Sequence, residues 1–295
     1  MKKLLLKSVL LVAAVVLTTA VIVLRISTNF SDRLYNKFTY RSSSMVIGAS
    51  RALYGIDPER LQKANEVKKP FLNFAFTKKI SPYGEVYYDA ILKKLTGEKG
   101  GLFILEVSPV VISEDRDSTA EKQLFLGRMT LFNSDPNPDF FFNQRPLYLY
   151  LTKKKKITTD SSHVSGWVER VHENPDVVYK DSVECAQLIS HYKISPYRMY
   201  WLEQTITTLS AQGTVVLVRM PLTKTMLAME NSYDAQFNAK MDALAKKYGS
   251  TYLDFSSRSQ YEFIDLHHLT GKGAAAFSES LGDTLQKLGL PELPR

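Results

Sequence analysis

Three residues in this 295-residue chain have the types and the setting for covalent chemistry: Ser50, Asp265 and His268. The stretch Met45-Val46-Ile47-Gly48-Ala49-Ser50-Arg51 reads as a β-strand that ends in a tight turn carrying the serine. A serine hydroxyl at its free pKa is a weak nucleophile and needs a base within hydrogen-bond reach. An imidazole takes such a proton near neutral pH, and a carboxylate then orients the ring and stabilises the imidazolium. In Asp265-Leu266-His267-His268-Leu269-Thr270, three residues of separation let Asp265 reach the nitrogen of His268 that faces away from the serine. His267 is the rival base, placed outward on spacing alone. Plainer readings stand beside this one. Ser50 could cap the following helix, and Asp265 and His268 could be a helix cap beside a surface histidine. His163, His172 and His191 are isolated and read as surface residues.

The surrounding pattern predicts an α/β domain. Strand one covers Ser44 to Gly48, with Gly48 permitting a sharp turn. Asp57-Pro58 opens a helix, with Asp as N-cap and Pro in the first turn. Pro70 to Phe76 is a second strand, and Ser81 to about Leu95 a helix whose Val86, Ala90, Ile91 and Leu95 share one face. Gly101 to Val107 is a continuous buried strand. This β-α-β-α-β order points to a parallel sheet with right-handed crossovers, and sites in open α/β sheets form at the carboxyl ends of strands. The pattern fades over about 112–195, which reads as an irregular insertion, a candidate lid. It resumes with a helix at Tyr197–Gln212, a strand at Thr214–Arg219, a helix at Ser232–Lys247, a short strand at Thr251–Phe255 and a closing helix at Gly271–Leu288.

Leu4 to Leu24 is almost wholly apolar, about the 20 residues a bilayer-spanning helix needs. Val21-Ile22-Val23-Leu24 runs directly into Arg25 without a small-x-small exit, so an uncleaved signal anchor is favoured over a cleaved peptide. The resulting layout is an anchor at 1–28, a juxtamembrane stalk at 29–43 and a domain at 44–290. A single N-terminal anchor usually exports the chain beyond it. The expected location is therefore the cell membrane, single-pass, with the domain outside the cytoplasm. Net charge is +8, yet the positives are dispersed and no nucleic-acid motif accompanies them, so nucleic acid is not an expected partner. The one dense cluster, Lys153 to Lys156, reads as a solvated loop, with an anionic envelope polymer as the alternative ligand. One cysteine, Cys185, excludes an internal disulfide and a cysteine-based metal site. No Gly-rich phosphate loop follows any strand, which argues against a nucleotide-binding domain. No cofactor and no metal are expected.

The pairing of Gly48-Ala49-Ser50-Arg51 with Asp265-Leu266-His267-His268-Leu269-Thr270-Gly271-Lys272-Gly273-Ala274 resembles the SGNH/GDSL hydrolase superfamily. Within it the chain looks most like the membrane-anchored bacterial branch related to teichoic-acid D-alanyl transfer and polysaccharide O-acyl transfer proteins. The resemblance spans about Met45 to Leu288, with its specific motifs at the two ends. It implies a flavodoxin-like three-layer α/β/α sandwich with a mostly parallel sheet, and Ser50 as nucleophile with His268 and Asp265 as its acid–base pair. It further implies an acylated glycan or small ester as substrate and a membrane acyl-transport protein as partner. The chain also departs from the family. Ala49 stands where many members have Asp, and Ala52 where an elbow of the Gly-x-Ser-x-Gly type has its second glycine. No Gly-x-Asn-Asp block supplies the usual oxyanion asparagine. Asn73, Ser108 and the Ser50 N–H are the substitutes on offer. Arg51 and Arg219 are candidates to hold an anionic substrate group, or else are salt-bridged structural residues. The missing asparagine keeps a second function in view: an inactive envelope assembly protein that binds a polymer.

Overall fold

The computed structural model describes residues 2–29, 37, 41–64, 66–76, 81–115, 161–170, 183, 185–187 and 189–291. Five parallel strands form the central sheet: β1 (Ser44–Ile47), β2 (Phe71–Asn73), β3 (Gly101–Glu106), and, after the insertion, β8 (Gly213–Arg219) and β9 (Thr251–Asp254). Their order is β2-β1-β3-β8-β9, so the chain reverses its direction of growth at β1, between β2 and β3. Pairing runs Met45 with Leu72 on one side and Met45 with Phe103 on the other, then Ile104 with Val216 and Val218 with Leu253.

Alternation along these strands feeds two cores. Met45, Ile47, Phe103, Leu105, Val215 and Leu217 face one side. They pack against α4 (Glu85–Lys94) through Tyr87, Ala90 and Ile91, α5 (Pro196–Ser210) through Leu202, Ile206 and Leu209, and α7 (Phe237–Lys247) through Phe237 and Met241. Val46, Leu102, Ile104, Val216 and Val218 face the other. There they meet α2 (Ser50–Gly55) through Ala52 and Leu53, α3 (Pro58–Ala64) through Leu61, and α8 (Gly271–Lys287) through Ala274, Phe277, Leu281 and Leu285. The result is a three-layer α/β/α sandwich with a parallel sheet; the sequence pattern predicts the parallel sheet and the family resemblance implies the three layers. Each fully buried large apolar side chain contributes roughly 1.5–3 kcal/mol.

Three boundaries differ from expectation. Helix α4 starts at Glu85 rather than Ser81, because the Ser81 hydroxyl accepts the Tyr83 N–H and holds 81–84 as a turn. Pro70 to Phe76 pairs as a regular strand only over β2, although the Phe74 and Phe76 N–H groups still reach the Val46 and Gly48 carbonyls. The helix expected at Ser232–Lys247 is two helices, α6 (Lys224–Tyr233) and α7. Asp234 separates them: its carboxylate accepts the Gln236 N–H and pairs with Lys240.

The described parts of the insertion form two small antiparallel pairs. One is β4 (Ser113–Asp115) with β7 (Tyr192–Ile194), which brings its two ends together. The other is β5 (Ser161–Ser162) with β6 (Val168–Glu169). Trp167 anchors the second pair by donating its indole N–H to the Tyr54 carbonyl at 2.9 Å. The lysine run 153–156, the stretch 133–138, Thr77–Lys79 and His172 lie outside the described residues.

Helix α1 (Lys2–Asn29) contains the span Lys2–Val21, which is long and apolar enough to cross a membrane, with a mean hydropathy of 2.4 and no buried share. Between it and β1, Lys37 is fully buried and donates to the carbonyls of Asn73 and Ala75, each at 2.6 Å.

Candidate active site

At the carboxyl end of β1 the backbone turns through Gly48 and Ala49 into α2, whose first residue is Ser50. Gly48 is required by close approach: a Cβ there would stand 2.5 Å from the Ala52 Cβ and 2.7 Å from Glu106 Oε2. Ala49 is the N-cap and offers no side-chain cap, so Ser50 is not the helix cap that the plainer reading proposed. Its hydroxyl points elsewhere.

The Ser50 Oγ lies 2.8 Å from His268 Nε2, and His268 Nδ1 lies 2.6 Å from Asp265 Oδ2. With Nδ1–H donating to the carboxylate, Nε2 is left to accept the serine proton. Asp265 Oδ1 accepts the N–H groups of His267 at 3.0 Å and His268 at 2.7 Å, which fixes the carboxylate in its own loop. That loop closes through Ile264 N–H to the His268 carbonyl and a bridge between Phe263 and Leu269. Thr270 then caps α8 by accepting the Gly273 N–H. A strand end and a helix start more than two hundred residues apart in sequence thus present a hydroxyl, an imidazole and a carboxylate in one line. All three side chains are buried.

Burial lowers the His268 pKa most, the neighbouring His267 ring lowers it further, and Asp265 opposes both; the outcome is about 3. His268 is therefore a neutral, proton-accepting imidazole at neutral pH. Burial raises the Asp265 carboxyl, but the hydrogen bond from His268 and the charges of both histidines outweigh it and hold the group well below the usual carboxylate range. The Tyr54 ring meets His268 edge-on at 5.4 Å and 89°. His267, the rival base, stacks obliquely on His268 at 4.0 Å, with its Nδ1 3.8 Å from the buried Cys185 Sγ. It does not take the serine contact. Asp265, His267 and His268 offer ligand atoms within 4.8 Å of one another, the spacing of a cation site. Both carboxylate oxygens already accept N–H groups.

The four auxiliary candidates are placed differently. Asn73 is fully buried and its amide is spent on structure. Nδ2 donates to the Ala52 and Ile56 carbonyls at 2.9 and 2.8 Å, and Oδ1 accepts the Ala75 N–H. Asn73 therefore clamps the end of α2 and is not an oxyanion donor. Ser108 is buried and accepts the Val111 N–H, which holds the turn after β3. Arg51 pairs with Glu230 at 2.7 Å, and Arg219 pairs with the same carboxylate at 2.9 Å while donating to Asn238. Both arginines are buried and committed to Glu230 of α6, so they brace the turn and hold no substrate group.

Sequence reasoning passed over Glu106. Its Oε2 accepts the Ala49 and Ala52 N–H groups at 2.7 and 3.3 Å, plugging the start of α2 with a carboxylate. Burial raises its pKa, and Arg51 together with those N–H groups pulls the other way. The available signal was a charged residue ending an otherwise apolar strand. With Ala49 and Ala52 engaged, the Ser50 and Arg51 N–H groups in the open first turn of α2 are, among the described residues, the backbone donors left there, the Ser50 N–H being beside the hydroxyl. Arg170, at the end of β6, is the other omission: its Nη1 donates to Asp265 Oδ2 at 3.3 Å and its guanidinium sits 4.5 Å over the Tyr54 ring.

No protein-family model and no curated protein sequence matches the chain. The solved structures similar to it include the following two. One is a candidate arylesterase from Agrobacterium tumefaciens str. C58, at 12% identity and a TM-score of 0.42, covering 83% of this chain and 98% of that one. The other is a carbohydrate acetylesterase from Sinorhizobium meliloti, at 9% identity and a TM-score of 0.41, covering 83% of this chain and 99% of that one.

Proposed function

We propose that this chain is a membrane-anchored serine esterase or O-acyltransferase of the SGNH type, acting on an acylated cell-envelope glycan or related ester. The observation that carries the proposal is the hydrogen-bonded line from Ser50 Oγ through His268 to Asp265. Ser50 Oγ attacks the ester carbonyl as its proton passes to His268 Nε2. Asp265 stabilises the imidazolium, and the Ser50 N–H donates to the developing oxyanion. His268 returns the proton to the leaving alcohol as the ester bond breaks, leaving the acyl group on Ser50. Water or a glycan hydroxyl then gives its proton to His268 and attacks, and His268 passes that proton to Ser50 Oγ as the Ser50 ester breaks, which regenerates the site. Hydrolase and transferase differ only in which hydroxyl arrives. In this reading residues 1–28 anchor the chain with the domain outside the cytoplasm, 29–43 form the stalk, and 44–290 form the domain, with a membrane acyl-transport protein as partner.

One observation favours a second reading, an inactive assembly protein that binds a polymer. Glu106 occupies two N–H groups at the elbow and Asn73 is engaged elsewhere, which thins the oxyanion support; a donor there is worth about 10²–10³ in rate. Labelling the full chain in detergent with a serine-directed fluorophosphonate decides between them. Labelling that is lost in Ser50→Ala and His268→Ala supports the enzyme. A folded wild-type protein that takes no label refutes it.

A further inference from the structure

We propose that Arg170 is a specificity-determining residue, an anion-binding group that selects esters carrying a carboxylate or similar negative substituent a few bonds from the reacting carbonyl. The inference rests on the serine-esterase reading above. Its foundation is a contrast between arginines. Arg219 is almost fully buried and spends its guanidinium on Glu230, Asn238 and Asn231. Arg170 is 24% exposed. Among the described residues its guanidinium makes a single hydrogen bond, the long one of its ion pair with Asp265; its buried Nε has no acceptor, a feature Arg219 shares. A guanidinium carries five donors in a fixed fork that matches a carboxylate, so most of this fork is uncommitted.

Its position is built in. The Arg170 carbonyl accepts the Gly271 N–H at 2.8 Å, tying the end of β6 to the start of α8. The same hairpin is pinned to α2 through Trp167 and to β2 through the Ser165 carbonyl, which accepts the Asn73 N–H. The adjacent acid, Glu169, is turned to His163 at 3.3 Å and does not neutralise Arg170. Tyr54 supplies the face on which the guanidinium lies, an arrangement that keeps the fork planar and oriented. The charge therefore sits on the carboxylate side of the His268 ring, away from Ser50 Oγ. An anion held there belongs to a substituent of the substrate and not to the carbonyl under attack.

The test compares p-nitrophenyl hemisuccinate with p-nitrophenyl butyrate, a pair in which a carboxylate replaces a terminal methyl. Rates are taken on the full chain in detergent, with the Ser50→Ala rate subtracted. Wild type is expected to favour the hemisuccinate in kcat/KM. Arg170→Gln is expected to lower that preference roughly tenfold to a hundredfold, the worth of a charge-assisted hydrogen bond, and Arg170→Lys to retain part of it. An equal loss on both esters makes Arg170 a positioning residue for Asp265 and overturns the proposal, as does a wild type without preference. If wild type hydrolyses neither ester above the Ser50→Ala rate, the esterase reading fails on its own. Calorimetric titration with succinate then reads the anion site directly: binding that Arg170→Gln abolishes upholds it, and equal binding by both proteins overturns it.

Discussion

Replacing Asn73 with alanine separates two accounts of that residue. If Asn73 supplied the oxyanion donor, its loss would lower kcat by about 10²–10³ and leave stability nearly unchanged. The structure gives the opposite expectation. The side chain makes three hydrogen bonds with buried backbone: Nδ2 to the Ala52 and Ile56 carbonyls, and Oδ1 from the Ala75 N–H. A typical bond contributes about 1 kcal/mol, and each backbone group left without a partner adds to the loss. The expected destabilisation is about 3 kcal/mol or more. For a domain of this size that lowers Tm by roughly 6–12 °C. The folded fraction should retain kcat within a few-fold, because none of these bonds touches Ser50 Oγ. Thermal melts monitored by circular dichroism give the stability. Kinetics normalised to fluorophosphonate-titrated Ser50 give the rate per intact site. A variant as stable as wild type but a hundredfold slower would refute the clamp and restore Asn73 to the oxyanion pocket.

The same geometry yields further expected outcomes. Asp265→Asn should keep its loop, because an amide oxygen can still accept the His267 and His268 N–H groups, yet lower kcat by about 10⁴ by favouring the wrong imidazole tautomer, measured by pre-steady-state acylation. With the His268 pKa near 3, kcat/KM should stay flat from pH 8 to pH 5, where an unperturbed histidine would already have lost its basicity; an acid limb at pH 6.5 would contradict the burial argument. The unfolded chain takes up that proton near pH 6.5 while the folded site resists it. This residue's contribution to stability is therefore complete above pH 6.5 and lost as pH falls toward 3, which urea titrations across that window should display. Glu230→Ala leaves Arg51 and Arg219 buried without their shared carboxylate and should cost about 3–5 kcal/mol in denaturant unfolding.

The grouping of Ser50, Asp265 and His268 was legible in the sequence because these residues sit at punctuation. Ser50 directly follows an apolar strand, and Asp265 and His268 share one loop ahead of a run of small residues. The sheet was legible for a similar reason: Leu102 to Leu105 and Val215 to Val218 are continuous apolar runs, the mark of strands covered on both faces. Asn73 was misassigned because a strand-end position gives the correct edge of the sheet but not the direction of the side chain, and here the amide turns inward to α2. The break at Asp234 was missed because one acid inside a helical pattern resembles a surface residue until its cap to Gln236 is seen. Strands of two or three residues, such as β5 and β4, carry no periodicity at all, and β4 finds its partner β7 almost eighty residues later.

Lys37 has a bearing on how this protein can be shortened. Its Nζ is enclosed against the Asn73 and Ala75 carbonyls, beside the asparagine that grips the serine-bearing helix, and burial pushes its pKa well below the usual lysine value. Trimming the polypeptide to begin at Ser44 would remove the apolar N-terminal helix and also pull the Lys37 amine out of the interior, leaving two carbonyl oxygens without their donor. A shortened version meant to keep the native serine geometry should therefore retain the chain from before Lys37.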